Sequence, residues 1–386
     1  MNDDTYDDIE DNIRAKNEGV KLVLGNGFDL YCGLKTRYID FFNAEKSKYE
    51  QIKKWCEGFR ILPYTHNIGN NNWVNWDSYN KLSEECNVWD IYFAIVVGEN
   101  DYNWCDIETE MLTTLNGQNK VLKWKDVMDI ALNITATWTE NRGLAYRIAF
   151  YIVEKNYDIS TEEKYYSFLL NELKKFEKRF GEFVNNELIL KHDEYLRQSS
   201  HLFEIVESIN HITSVETFNY VDDRDIRNVE HIKHSDIVTH INGDYKNPIF
   251  GIDSSRIDVS SQMFIFTKVA RRLLNSTLDG GLNYVSLDEN YDCLAIFGHS
   301  LCEHDYNYFF PIFDYLDVTN VMKRSCIFFF YYIYNESERE KIILDNIRSV
   351  TRLIDAYEKY AGKNRSNRLL DSLTIQGRII FEEIKK

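Results

Sequence analysis

Only 3 prolines and 17 glycines stand among the 386 residues, too few for long disordered linkers. No segment approaches the ~20 consecutive apolar residues that a bilayer-spanning helix needs, so no membrane partner is expected. The 7 cysteines (Cys32, Cys56, Cys86, Cys105, Cys293, Cys302 and Cys326) are odd in number and scattered, with no Cys-x-x-Cys pair. That spacing argues against a zinc site or a disulfide framework and for reduced thiols, and no metal is expected. Positive charge is the scarcer sign, 45 Lys and Arg against 62 Asp and Glu, for a net charge of -17. Such a surface repels free polyanions, which disfavours nucleic acid as a partner. The most basic stretch, Lys174-Lys175 with Lys178-Arg179, has glutamates between its cations and reads as a solvated helix face. The first residues are acidic where a secretion signal would be basic and then apolar, which predicts an acidic N-terminal extension over 1–19 and a cytoplasmic protein.

What is present points to an α/β domain. Short apolar runs at Lys21 to Leu24, Ile212 to Phe218, Ile237 to Ile241, Cys293 to Phe297 and Cys326 to Tyr334 have the β-branched and aromatic composition of strands buried on both faces. Helical sequence lies between most of them. The pattern predicts a doubly wound, Rossmann-like parallel sheet in a single domain, 20–386, with a large, mostly helical insertion over 40–210 after the first strand. Within that insertion, Ser160-Thr161-Glu162-Glu163 reads as a capping box, and Phe168, Leu169, Leu173, Phe176, Phe180 and Phe183 recur at spacings of three and four. All seven tryptophans fall between Trp55 and Trp138, and the run Gly69-Asn70-Asn71-Asn72 reads as a turn.

Four strand ends carry residue types capable of chemistry. After the first, Gly25-Asn26-Gly27-Phe28-Asp29 combines glycines that let backbone approach a ligand, an asparagine that tolerates a left-handed conformation, and an aspartate able to reach a ribose hydroxyl or cap a helix. The same letters also describe a tight turn with a structural cap. The following Gly33-Leu34-Lys35-Thr36-Arg37-Tyr38 offers a second loop that can fold over a ligand. Asn219 closes the second strand, where its amide can orient a ribose or a water, or simply form a turn. His240 and Asn242 are two apart on extended chain and so project to one face. A core histidine followed by an Asn242-Gly243 turn is the plainer reading. After the fourth strand, Gly298-His299-Ser300-Leu301 precedes Asp305. His299 titrates near neutral pH and Ser300 stands at a helix start, yet the missing second glycine excludes a serine-hydrolase elbow. Glu108 and Glu110, two apart on a helix, do not share a face and read as solvated or ion-paired rather than as an acid/base pair.

Leu24-Gly-Asn-Gly-Phe-Asp-Leu30 to Tyr38, Trp104-x-Asp-Ile-Glu108, Phe218-Asn-Tyr220, Ile241-x-Gly-Asp244 with Phe250-Gly-Ile252, Phe266-Thr-Lys268, and Gly298-His-Ser-Leu301 with Asp305 together resemble the AbiH-like bacteriophage abortive-infection family. The same order of islands is similar to the wider sirtuin-like group. That resemblance implies an antiphage effector with a sirtuin-like nucleotide site and NAD as substrate or ligand. It also implies an NAD glycohydrolase that cleaves the nicotinamide glycosidic bond. Carried over by position, Gly25, Asn26, Gly27 and Asp29 hold phosphates and ribose, with Thr36, Tyr38, Asn242, Gly243 and Asp305 around the ligand. Asn219 meets the nicotinamide ribose or a water, and Gly298 with Ser300 faces the adenosine half. Two departures stand out. Val221 follows Tyr220 where the sirtuin-like strand continues with aspartate, and Asn242 precedes Gly243 where histidine is expected. An amide is no base, so His240 or His299 would serve as catalytic base with Asn219, or the chain binds its nucleotide without turnover. The implied partners are a nucleotide and a phage-derived trigger or protein partner, with a homo-oligomer left open.

Overall fold

The computed structural model describes residues 19–61, 86–96, 122–132, 144–221, 238–278, 290–362 and 368–385, together with 108, 111, 112 and 115. By compactness the chain divides into two units, each drawn from separated stretches: 1–36, 184–248 and 276–386 form the first, 37–183 and 249–275 the second.

The first unit is built on a six-stranded sheet of β1 (Gly19–Leu24), β2 (Ile212–Thr217), β3 (Val238–His240), β4 (Tyr291–Phe297), β5 (Cys326–Tyr331) and β6 (Ile379–Glu383). All five pairings are parallel, in the order β3-β2-β1-β4-β5-β6. The order reverses direction at β1, and its neighbours β2 and β4 are reached by the two longest crossovers. Five strands match the runs read from sequence. The sixth, Ile379-Ile380-Phe381-Glu382-Glu383, has only three apolar residues and pairs on one side alone, so its signal is short and half polar.

One sheet face is covered by the helices Tyr306–Tyr315, Arg339–Tyr360 and Arg368–Ile375, whose Phe309, Phe313, Leu353, Ile354, Tyr357 and Leu373 pack with Val23, Leu294, Ile296, Ile327 and Phe329. On the other side Phe28, from the short helix Asn26–Tyr31, meets Tyr195, Phe203 and Phe297 with ring centroids 5.8, 6.0 and 6.4 Å apart. Full burial of each such side chain contributes about 1.5–3 kcal/mol. In the sheet itself, Lys21 Nζ on β1 lies 2.8 Å from Glu216 Oε1 on β2, both side chains almost wholly buried, and the ammonium sits over the Tyr291 ring. Here the continuous apolar run expected of a doubly covered strand is interrupted by a matched pair of charges.

The second unit is helical. Its described helices are Tyr38–Ala44, Lys46–Ile61, Val88–Val96, Trp124–Leu132, Leu144–Glu154, the first half of Glu162–Glu207, and most of Lys268–Leu278. Helix Glu162–Glu207 is capped by Thr161, whose Oγ1 accepts from the Lys164 N–H, and has a non-helical residue at Lys191. The expected phenylalanine stripe forms the core: Phe176 and Phe180 meet Phe41 at 5.5 Å, and Phe93 packs on Phe176 at 4.9 Å. The Lys174–Arg179 stretch is only partly a solvated face, since Arg179 pairs with the buried Asp90. Trp73, Trp76, Trp104, Trp138, Glu110 and the 67–75 loop lie outside the described residues.

Three of the sequence islands meet in this unit. The Ile252 N–H donates to Phe266 O, and the Lys268 N–H donates back to Ile252 O, each at 3.0 Å. A Cβ on Gly251 would lie 2.8 Å from the Lys268 backbone nitrogen, so glycine is required for the approach. Lys268 Nζ reaches Glu108 Oε2 at 2.9 Å, and Glu177 is held by Arg271 through both oxygens while accepting from the Phe250 N–H at 2.7 Å. Glu108 is thus ion-paired, as its spacing suggests.

Among the described residues no helix is long and apolar enough to cross a membrane, and no group of three metal-ligating side chains forms. Cys32, Cys56, Cys86, Cys293 and Cys326 are free thiols.

Candidate functional site

Parallel register sets the site. Leu24, Thr217, His240 and Phe297 are partners across β1, β2, β3 and β4, so the residues that follow them emerge from one edge of the sheet. The remaining islands of the sequence, drawn from stretches as far apart as Gly25 and Asp305, are gathered on that edge, except for Tyr38.

The glycines of the first turn serve a backbone contact. Gly25 N–H donates to Phe297 O at 3.0 Å, Gly27 N–H to Gly298 O at 2.7 Å, and Phe28 N–H to Gly25 O at 2.8 Å. A Cβ on Gly25 would lie 2.4 Å from His299 Cα. On Gly298, which has φ +70°, it would lie 2.2 Å from Phe28 N. The loops after β1 and β4 therefore touch main chain to main chain, and these three N–H groups are used within the protein.

Behind that contact sits Asp29, only 1 % exposed. Burial pushes its carboxyl up to about 8, against the opposing hydrogen bonds of Asn219 and Thr36, so it holds its proton at neutral pH. Asn219 comes from the end of β2, 190 residues away, and its Nδ2 donates to Asp29 Oδ1 at 2.9 Å and to Gly25 O at 3.0 Å. Two acceptors on Nδ2 fix which way the amide points. Asn219 Oδ1 is then a buried acceptor with no hydrogen-bond partner among the described residues. Asn26 belongs to the same group, its Oδ1 accepting from the Thr36 hydroxyl at 2.6 Å.

The end of β3 adds to this edge. Asn242 is buried, its Nδ2 donates to Phe218 O at 3.3 Å, and its Oδ1 is a second buried acceptor without a described partner. Gly243 follows at φ +77°, a conformation that a side chain would strain. His240 Nδ1 lies 3.3 Å from Asn219 main-chain O. A carbonyl can only accept, so Nδ1 carries the proton and Nε2 carries the lone pair of the neutral ring.

His299, after β4, is arranged the opposite way. Its Nδ1 accepts from the Leu301 N–H at 2.9 Å, which puts the proton on Nε2, 3.5 Å from Asp305 Oδ2. The ring packs edge-on to Phe218 at 4.3 Å and against Phe309 at 5.2 Å. Leu301, whose N–H the imidazole holds, has φ +51°. His299 thus stabilises a strained turn from a buried position. Ser300 is exposed, with Oγ 3.1 Å from Cys302 Sγ. Beside this turn a small pocket of about 20 Å³, room for about one water, lies between the ends of β4 and β5, lined among others by Gly298, His299, Leu301, Phe330 and Tyr331.

The sequence-derived residues Gly25, Asn26, Gly27, Asp29, Thr36, Asn219, His240, Asn242, Gly243, Gly298, His299, Ser300 and Asp305 all belong to the first unit. Tyr38 belongs to the second, where its ring packs on Phe180 and Phe250 at 5.1 Å each. Two residues to which the sequence reading gave no role support the site. Thr217 Oγ1 accepts from the Asn219 N–H at 3.0 Å and shapes the turn that presents the amide. Phe218 carries the His299 ring. A threonine two residues before a strand-end asparagine is the available signal for the former; a lone phenylalanine gives none for the latter.

A family model described as bacteriophage abortive infection AbiH matches residues 22–331. No curated protein and no solved structure matches the chain.

Proposed function

Since the chain belongs to the bacteriophage abortive infection AbiH family, which carries an antiphage abortive-infection role, we propose that the edge formed by the ends of β1, β2 and β3 binds an NAD-type dinucleotide and cleaves its nicotinamide glycosidic bond. The observation that carries this reading is Asn219. Its amide is clamped by Asp29 Oδ1 and by Gly25 O, and its oxygen is left buried without a donor among the described residues. An unmet buried acceptor costs about 1–3 kcal/mol, a cost that a ligand hydroxyl can offset. With Asn242 Oδ1 it offers two acceptors, the chemistry that a ribose diol satisfies. The strand order, reversing at β1, agrees with the doubly wound, sirtuin-like sheet of the proposal, in which ligands sit beyond the carboxyl ends of the strands.

In this mechanism the C–N bond to nicotinamide breaks with its electron pair leaving on the neutral base, and positive charge develops on the ribose. The Asn219 and Asn242 oxygens, fixed in advance, stabilise that charge without reorganising. His240, oriented by the Asn219 carbonyl, takes the proton of the attacking water at Nε2. His299 does not compete for this role, because its lone pair is engaged by the Leu301 N–H.

A second reading, a nucleotide sensor without turnover, is favoured by one residue: Asn242 stands where a histidine before Gly243 would supply the base. Calorimetric titration with NAD and with ADP-ribose, followed by chromatography of the NAD samples, separates the two. Saturable binding with release of nicotinamide supports cleavage, saturable binding with intact NAD supports the sensor, and no binding of either ligand removes both.

A further inference from the structure

At the opposite edge of the same sheet, near the starts of β4 and β5, Cys293 and Cys326 are register partners. Adjacent parallel strands lie about 4.8 Å apart, and register partners project to one face. That separation falls within the ~4.4–6.8 Å Cα spacing over which a disulfide closes without moving backbone. Both thiols are free and part-exposed, and they are hydrogen-bonded to each other. Beside them Arg378 is 5 % exposed and donates only to neutral acceptors: Ser325 O and Oγ, Val318 O, Asn320 O and Gln376 Oε1. A buried guanidinium whose hydrogen bonds include no carboxylate favours an anion at its side. Nothing in the proposed nucleotide chemistry uses this pair.

We propose that Cys293 and Cys326 form an oxidisable dithiol whose substrate class is the hydroperoxides and whose product is a disulfide joining β4 to β5. The Cys326 thiolate attacks one peroxide oxygen. A sulfur–oxygen bond forms, the O–O bond breaks, two electrons pass from sulfur to oxygen, and the leaving hydroxide or alkoxide takes up the proton released by Cys326. Cys293 sulfur then attacks the sulfenic sulfur of Cys326; the S–S bond forms, the S–O bond breaks, and the departing hydroxide leaves as water with the Cys293 proton. The sum is two thiols and one hydroperoxide giving one disulfide, one water, and one further water or alcohol.

The division of labour follows from the surroundings. Hydrogen bonding from Cys293 and the charge of Arg378, against burial and the nearby Asp292, bring the Cys326 thiol down to about 7, which makes it the attacking partner. Its hydrogen bond to Cys326, its burial and the nearby Asp292 push Cys293 well above the usual thiol range, which makes it the resolving partner.

The test uses the full chain, reduced and freed of reductant, treated with hydrogen peroxide, blocked with iodoacetamide and mapped by mass spectrometry without reduction. The expected product is a Cys293–Cys326 linked peptide, reversed by dithiothreitol. Cys293→Ser should give no link but a dimedone-reactive sulfenic acid on Cys326. Cys326→Ser should leave Cys293 unoxidised, with circular dichroism confirming that each variant is folded. The alkylation rate of Cys326 should reach half its maximum near pH 7, against about 8.5 for an ordinary thiol. Both thiols still open to iodoacetamide after peroxide treatment, or oxidation that begins at Cys293 in the Cys326→Ser chain, would overturn the proposal.

Discussion

The motifs that mark this chain gather in two places, and the two differ in what their polar groups are left to do. In the helical unit, Glu177 meets Arg271 through both oxygens, Lys268 meets Glu108, and the backbones of Ile252, Phe266 and Lys268 bond to one another. Each charge of this cluster is paired with an opposite one. In the sheet unit, Asp29 is an uncharged acid, and the amide oxygens of Asn219 and Asn242 are buried without a described donor. Shared family motifs therefore have two physical meanings. One set closes a fold, and the other leaves buried acceptors without a donor among the described residues. The same contrast recurs between two histidines on one edge: His299 spends its lone pair on a strained turn, whereas His240 is oriented with its lone pair on Nε2.

The largest effect should come from the closed cluster. Glu177→Ala strands the buried Arg271 and removes the acceptor of the Phe250 N–H, and should cost about 3–5 kcal/mol in urea unfolding. A loss below about 1 kcal/mol would mean that this cluster is not the structural one. The histidines should separate next. His299→Ala removes two ring contacts and the acceptor for Leu301 and should cost about 2–3 kcal/mol. His240→Ala should cost under about 1 kcal/mol in the same assay while lowering NAD cleavage by ~100-fold or more. The reverse pattern would exchange their roles.

The pH dependence of stability sharpens the comparison further. Asp29 keeps its proton in the folded chain up to about pH 8, but in the unfolded chain it ionises near its ordinary 3.8. Between those values the unfolded state holds fewer protons, so this group makes stability fall as pH rises from about 4 to about 8, by at most about 1.4 kcal/mol per pH unit, and leaves it level above that. Asp29→Asn, which mimics the protonated acid, should remove that part of the slope in urea titrations at pH 5, 6, 7 and 8. An unchanged slope would show that Asp29 is ionised in the fold. The smallest effect belongs to Ser300, which is exposed, with its Oγ 3.1 Å from Cys302 Sγ. Ser300→Ala should shift stability by less than about 0.5 kcal/mol in urea unfolding.

Much of the sheet was legible because five of the six strands are short runs rich in β-branched, aromatic and other apolar residues, even where Lys21 and Glu216 interrupt them. Strand β6 was not, because an edge strand with glutamates at its end looks like any short polar stretch. The strand-end position of Asn219 was readable from Thr217-Phe218-Asn219. Its clamp was not, since the contact to Asp29 spans 190 residues and depends on register. The glycines illustrate a different limit. Gly25-Asn26-Gly27 announces close approach of backbone to something, and the sequence alone does not say that the something includes Gly298 and His299 of the same chain. Which histidine keeps its lone pair was likewise invisible, because a tautomer is decided by the atom facing each nitrogen.

The most direct measurement is a calorimetric titration of NAD into the wild-type chain and into Asn219→Ala, with circular dichroism establishing that both are folded. Saturable binding by the wild type and its loss in Asn219→Ala is the predicted result. Equal binding by the two chains, or none by the wild type, would contradict the assignment of the site to the ends of β1, β2 and β3.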